Sequence, residues 1–163
     1  MRTIPAEPLT QEAFAPFGEA LTIPTAKSRV YFDTALRNGR PAARPSLSLS
    51  FAEPRGALPL RVKVMERHEF SSQSFVPLGP VRWLVLVAPH GVGGGPDMTR
   101  ARAFLPGPGQ GVTYGMNVWH HPNTVLDAPA SFAIWMWLDG GKGDEEFFDV
   151  AEPLTVDVPG RTA

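Results

Sequence analysis

Two stretches of the chain carry residues able to move protons or bind a cation. One reads ERHEFSSQSF and holds Glu66, His68 and Gln73; the other reads TYGMNVWHHP and holds Tyr114, His120 and His121. His90, in APHGVGGGP, completes the four histidines and reads as a solvent-exposed turn residue. Residues two apart on a strand share a face. Glu66 and His68 therefore share one, and it is also the face of Val62 and Val64, which should point inward. An inward carboxylate and imidazole are costly unless they are paired, hydrogen-bonded or bound to a ligand. A turn at FSS would bring Gln73 back beside them.

In the second stretch the same parity places Tyr114, Met116, Val118 and His120 on one face and Asn117, Trp119 and His121 on the other. A bulge at Gly115 would upset that order. His120 is then the inward imidazole, and His121 turns with Trp119 toward packing or a partner. Each residue also has a plainer reading. A buried histidine is often a satisfied core residue, Glu66 could pair with Arg61 or Arg67, and Tyr114 could simply line a core.

These residues need elements to position them. LTQEAFAPFGEAL is the best helix candidate, short, with Thr10 as N-cap. SLSLSF alternates strictly and places Leu47, Leu49 and Phe51 on one face of a strand. LPLRVKVMERHEF, SQSFVPL, VRWLVLVAP, ARAFLP, GVTYGMNVWHHP and SFAIWMWLD read as further strands, and LRNGRPAARP as irregular. GGKGDEE reads as an exposed acidic loop, and EPLTVDVPG as a last strand or tail. Sixteen glycines and eighteen prolines punctuate these runs. Many short strands joined by such turns predict an all-β jelly-roll barrel, residues 1–163 forming one domain, with room inside for a small ligand. WLVLV and FAIWMWL are apolar on both faces, so one face should cover the interior and the other meet a partner, most simply in a homodimer.

Composition narrows the chemistry. There is no cysteine, which excludes disulfides, thiolate nucleophiles and cysteine-ligated zinc. A net charge of -1 gives no global field for nucleic acid or an anionic membrane. The N-terminus has no apolar signal region, and WLVLVAP is too short to span a bilayer, so a cytoplasmic protein acting on a small molecule is expected.

The spacing Glu66-x-His68-x4-Gln73, followed much later by His120, resembles the cupin pattern, with Glu66 and Gln73 standing where a histidine and a glutamate are usual. A more specific resemblance covers nearly the whole chain. PLTQEAFAPFGE, MERHEFSSQSFVPL, RAFLPGPGQGVTYGMNVWHHP and DGGKGD look like the ureidoglycolate lyase family. That resemblance implies a cupin-like homodimer that releases urea from ureidoglycolate, and a divalent metal associated with activity, nickel in some members. Phe51 and Lys142 depart from positions where the family resembled here carries arginine or a different cation pattern. Arg102, in RAF, matches and is the candidate for binding the substrate carboxylate, with Gln73 and Asn117 as further substrate contacts.

On this basis His68 and His120 are expected to bind a divalent ion, with Glu66 and Gln73 completing the shell. Nickel, manganese, iron and zinc all suit that mixed set. A metal-free alternative makes His120 the base and Glu66 or Tyr114 the acid. Two other classes stay open: a non-catalytic binder of a small organic acid, and a different metal-dependent cupin enzyme.

Overall fold

The computed structural model describes residues 2–54 and 58–160. Twelve strands dominate it. They are β1 (Thr3–Pro8), β2 (Gly18–Leu21), β3 (Arg44–Ala52), β4 (Leu60–His68), β5 (Gln73–Pro77), β6 (Trp83–Ala88), β7 (Arg102–Leu105), β8 (Gly111–Tyr114), β9 (Trp119–His120), β10 (Thr124–Val125), β11 (Ala130–Leu138) and β12 (Glu145–Asp157). Among the described residues the one α-helix, α1 (Gln11–Phe14), is a single turn, and the Thr10 hydroxyl caps it by accepting from the Ala13 N–H at 3.2 Å. Helix α1 drops Phe14 into the core against Phe104 and Tyr114.

Two sheets form. The first runs β10-β6-β7-β1-β12-β4-β9, and pairing of β6 with β9 closes six of its strands into a ring. The second runs β2-β8-β5-β11-β3 and packs against one side of that ring. The architecture is the expected all-β, cupin-like jelly roll.

Side chains fill the ring itself: Ile4, Val62, Met65, Leu84, Leu86, Trp119, Leu154 and Val156 form one core cluster. A second cluster, with Phe14, Trp83, Val85, Val87, Phe104, Val112, Tyr114 and Phe132, lies between ring and sheet. Strand β6 thus sends alternate residues into two different cores of the same chain. The sequence reading that its second face meets a partner is corrected: the second sheet covers it. The other doubly apolar run behaves differently. In β11, Phe132 is buried on the inner face, whereas Trp135 on the outer face is 38% exposed.

The alternation in β3 also resolves in an unforeseen sense. Leu47, Leu49 and Phe51 point outward, 64%, 72% and 69% exposed. Ser46, Ser48 and Ser50 take the other face, opposite Met136, Ile134 and Phe132 of β11. Gly18 is required at the junction of α1 and β2, since a Cβ there would lie 1.8 Å from the Thr113 carbonyl oxygen.

Candidate active site

The polar cluster sits between the ring and the second sheet, not inside the ring. Strand β4 explains this. Val62 and Met65 both enter the ring core, although they are three residues apart and regular alternation would separate them. The pairing of β4 with β12 is irregular over the same stretch, jumping from Asp149 to Leu154 opposite Val64 and Val62. Parity inverts there, so Glu66 and His68 face the second sheet and not the side of Val62. A bulge of this kind re-aims the side chains beyond it.

A second break delivers His120. GVTYGMNVWHHP is not one strand: β8 ends at Tyr114, the chain turns through residues 115–118, and β9 begins at Trp119 in the other sheet. Asn117 makes the turn with φ 63°, a conformation asparagine tolerates better than most residues. Its N–H donates to the His68 carbonyl at 2.7 Å, and its Oδ1 accepts from Arg67 at 2.6 Å. Tyr114 and His120 still meet, now from opposite sheets, with rings stacked at 4.1 Å and 14°. Glu66 is directly opposite His120 in the β4–β9 pairing, and Gln73 is opposite Tyr114 in the β5–β8 pairing.

The convergence point is Nε2 of His120. The ring's other nitrogen, Nδ1, contacts the Val118 carbonyl at 2.9 Å, which leaves Nε2 as the nitrogen turned toward the cluster. Gln73 Oε1 is 3.2 Å from that nitrogen and Glu66 Oε1 is 3.3 Å from it. Three electron-rich atoms around one point are satisfied by a proton on Nε2 or by a cation. The His68 ring is 5.9 Å from that of His120, centroid to centroid. Among the described residues no three His, Cys, Asp or Glu side chains are gathered as a metal site; here the third close donor is an amide. One imidazole nitrogen with two oxygens nonetheless fits a divalent ion that accepts mixed N/O ligands.

Burial pushes the Glu66 carboxyl upward, but the hydrogen bond and charge of His120, helped by His68 and His121, bring it below its ordinary value of 4.5. Glu66 is therefore a carboxylate at neutral pH. Burial, and then the charge of His120, hold His68 below 6.5 against the opposing pull of Glu66 and Asp144. Burial, reinforced by Glu66, raises the Tyr114 hydroxyl well above its ordinary range, so this ring keeps its proton.

These shifts make acid the vulnerable side. Unfolded histidine takes up a proton as pH falls through 6.5, while folded His68 resists it; unfolded carboxylate follows near 4.5, while Glu66 resists it. Each stabilising contribution is present above the unfolded value and is lost on acidification. The melting temperature is expected to drop progressively below about pH 6.5, and His68→Gln to flatten the first part of that drop in differential scanning calorimetry. An unchanged slope between pH 6.5 and 5 in the variant would contradict this.

Not every candidate joins the cluster. Arg102 is spent elsewhere: its guanidinium holds both oxygens of Glu7 at 3.0 Å, donates to the Ala13 carbonyl at 2.9 Å and lies over Phe104. Asn117 holds the turn, with its side chain on Arg67. Arg67 pairs with Glu146, not Glu66, and covers Trp119 at 4.8 Å. His121 packs within the chain, its Nδ1 2.9 Å from the Thr124 hydroxyl. His90 is exposed as expected, yet its ring nitrogens contact the carbonyls of Gly94 and Asn117 at 3.2 and 2.6 Å.

Two supporting residues escaped the sequence reading. Asp144, in the supposedly exposed GGKGDEE loop, is buried. Its carboxylate accepts from the Phe70 N–H at 2.7 Å, the Ser71 hydroxyl at 2.6 Å and Arg40 at 3.1 Å, and lies 3.8 Å from His68 Nδ1. Arg40, from the irregular LRNGRPAARP, also reaches Asp139 at 2.7 Å and the Trp137 carbonyl at 3.0 Å. Their partners lie between 73 and 104 residues away in sequence, which no local pattern reveals. Beside Glu66 opens a pocket of about 500 Å³, lined by Ser50, Phe51, Glu53, Phe75, Asn123 and Ile134 among others.

Comparison with known proteins now decides the family. The sequence profile of the ureidoglycolate lyase family matches residues 1–157. The chain belongs to the ureidoglycolate lyase family. A ureidoglycolate lyase from Chelativorans sp. is 39% identical over 99% of this chain and 100% of its own length. One from Pseudomonas aeruginosa is 37% identical over 96% and 97%, and one from Brucella melitensis 38% identical over 82% of each chain. A dTDP sugar isomerase from Desulfovibrio desulfuricans aligns over 80% of each chain with a TM-score of 0.46 and 17% identity, too distant to bear on function. Across this family-wide match, the candidate cluster of Glu66, Gln73 and His120 lies well inside the matched span.

Proposed function

We propose that this member of the family releases urea from ureidoglycolate to give glyoxylate, and that Glu66 and His120 carry the proton transfers. The observation that carries the assignment of roles is the Glu66–His120 contact at 3.3 Å beside a ligand-sized pocket. Ureidoglycolate is a carbinolamide, with hydroxyl, ureido nitrogen and carboxylate on one carbon. Glu66, held as a carboxylate, takes the hydroxyl proton. The oxygen lone pair then forms the carbonyl, the C–N bond breaks, and its electron pair goes to the ureido nitrogen. That nitrogen takes up the proton, passed from Glu66 through His120. One proton moves from oxygen to nitrogen, and none is gained or lost overall. This assignment reverses the metal-free alternative, in which Glu66 was an acid. Tyr114 orients the imidazole by stacking.

A divalent cation would be held by Glu66, Gln73 and His120 with His68 beside them, and when bound it would polarise the substrate hydroxyl and lower its pKa. The test is urea release from ureidoglycolate by purified protein, before and after dialysis against a chelator and again after divalent ion is restored. Turnover supports the lyase; absence of turnover under all three conditions overturns it. Loss on chelation with recovery on restoration supports the cation site, and full activity after exhaustive chelation overturns that part alone.

A second copy of the chain is the proposed cover for the outer face of the five-stranded sheet. Leu47, Leu49, Phe51, Val76 and Trp135 together expose a contiguous apolar surface of the kind that marks an interface. The wild-type chain is expected to run as a dimer in light scattering, and Leu49→Lys as a monomer with an unchanged far-UV spectrum. A monomeric wild type would remove this assignment. No helix among the described residues is long and apolar enough to cross a membrane, and a cytoplasmic location is part of the same proposal.

A further inference from the structure

A neutral imidazole carries one proton, and the surroundings of its two nitrogens decide which one holds it. For His68 the two surroundings differ sharply. Nδ1 is sealed from solvent and has no hydrogen-bond partner. Nε2 of the same ring is neither sealed nor hydrogen-bonded among the described residues. A ligand can therefore meet Nε2 and cannot reach Nδ1. Beside Nδ1 stands the Asp144 carboxylate, with Oδ2 3.8 Å away. That is too long for a hydrogen bond, but charge acts well beyond it. A lone pair on Nδ1 would face an anion, whereas an N–H there turns its positive end toward it.

The carboxylate is fixed in that position. Its Oδ1 accepts from the Phe70 N–H, and its Oδ2 from the Ser71 hydroxyl and Arg40. Arg40 opposes the effect, but its influence on His68 is weaker than that of Asp144. Glu66 also acts on His68, yet its oxygen is engaged at His120. Among the described residues Asp144 is the only carboxylate within ion-pair distance of the His68 ring. Free histidine in water favours the opposite form, with its proton on Nε2. We infer that Asp144 is a positioning residue that holds the His68 proton on Nδ1 and keeps Nε2 as an electron-pair donor to the site. Carboxylates set metal-binding histidines in the same way. What Nε2 meets, a divalent ion or a ureido N–H, rests on the proposed function; the position of the proton does not.

Long-range proton–nitrogen correlation spectra of the full chain, uniformly nitrogen-15 labelled, read the tautomer directly. They are recorded well above the histidine range, where imidazoles are neutral. The chain has only four histidines, and the signals lost in His68→Gln assign that ring. In the wild type, Nδ1 of His68 is expected to give the protonated-type resonance and Nε2 the unprotonated one. In Asp144→Asn the Phe70 N–H retains the amide oxygen, so the amino group takes the Oδ2 position and turns a donor to Nδ1. His68 should then move to the Nε2–H form. Ser71→Ala removes one bond to the carboxylate but leaves its charge, so stability should fall while the tautomer stays. A wild-type His68 with its proton on Nε2 would overturn the inference, and so would a tautomer that survives Asp144→Asn or changes in Ser71→Ala. If Asp144→Asn fails to fold, the wild-type spectrum decides.

Two additions to the wild-type sample identify what Nε2 meets. Zinc ion is the probe for a cation, and N-carbamoylglycine, which cannot release urea by this reaction, is the probe for the ureido group. A shift of the Nε2 resonance with zinc alone assigns it to the cation, and with N-carbamoylglycine alone to the substrate. A resonance unmoved by either would overturn its role as a donor. None of these measurements requires turnover. A protein that shows the expected tautomer and shift but releases no urea would lose the lyase reading and keep the positioning role of Asp144.

Discussion

Glu66→Gln is expected to lower kcat for urea release by about 10²–10⁴-fold, the usual worth of a positioned general base. The substitution keeps the shape and one oxygen of the side chain, so the contact with His120 is altered in charge and not in volume. It removes the only carboxylate within 3.3 Å of His120 Nε2 among the described residues. The loss should fall mainly on kcat, because the base acts in the transition state and does little to hold the substrate. Melting temperature should change little, since a buried charge is exchanged for a neutral amide of the same size. Steady-state kinetics with ureidoglycolate, alongside thermal melts, make the comparison. Activity within threefold of wild type would remove Glu66 from the proton path and return that role to His120 alone.

Asp144→Ala is expected to be the most damaging substitution outside the reacting pair. Its carboxylate is the meeting point of three strand-end segments: residues 37–40, the 69–72 turn, and its own loop before β12. The Asp144 carbonyl also accepts from the Glu69 N–H at 2.9 Å, but the side chain supplies the rest. Alanine leaves the Phe70 N–H and the Ser71 hydroxyl without their acceptor and takes one of two carboxylates from Arg40, whose Nε already lacks a partner. Breaking a buried ion pair from one side costs about 3–5 kcal/mol. At about 2–4 °C per kcal/mol for a chain of this size, the melting temperature should fall by roughly 6–20 °C. Asp144→Asn keeps an acceptor and should lose about half as much. Urea release should also fall, because the 69–72 turn sets the spacing between His68 and Gln73. A melting temperature within 2 °C of wild type in Asp144→Ala would show that the network does not hold the site together.

Local pattern reaches only part of the way in the two candidate stretches. Strict alternation, turn residues and apolar runs identified the longer strands, because side-chain period two and the glycine and proline breaks are local properties; β1, β2 and β10, short or at the chain's start, were not read as strands. The same pattern named Glu66, Gln73, Tyr114 and His120, since polar residues on an otherwise buried face need a reason to be there. Parity failed at two places, and both are sites of tertiary choice. Between Val62 and Met65 the mismatch with β12 reverses the faces of β4. After Tyr114 the chain leaves one sheet and enters the other. Each break has only a permissive local sign: Pro153 lies in the stretch of β12 between Asp149 and Leu154 that slips against β4, and Gly115 permits a turn without requiring one.

Long-range pairing escaped for the same reason. GGKGDEE is polar and glycine-rich, as an exposed loop would be, and only the return of residues 37–40 across the 69–72 turn buries Asp144. Arg102 fits a carboxylate-binding role by residue type, but the parallel pairing of β1 with β7 puts Glu7 within its reach. The sequence by itself determined the jelly-roll class, the longer strands, the family and the residue types of the candidate site. The tertiary structure decided which face each residue took, because an odd-numbered slip between paired strands, as between Asp149 and Leu154 of β12 against Val64 and Val62 of β4, exchanges the two faces of a strand.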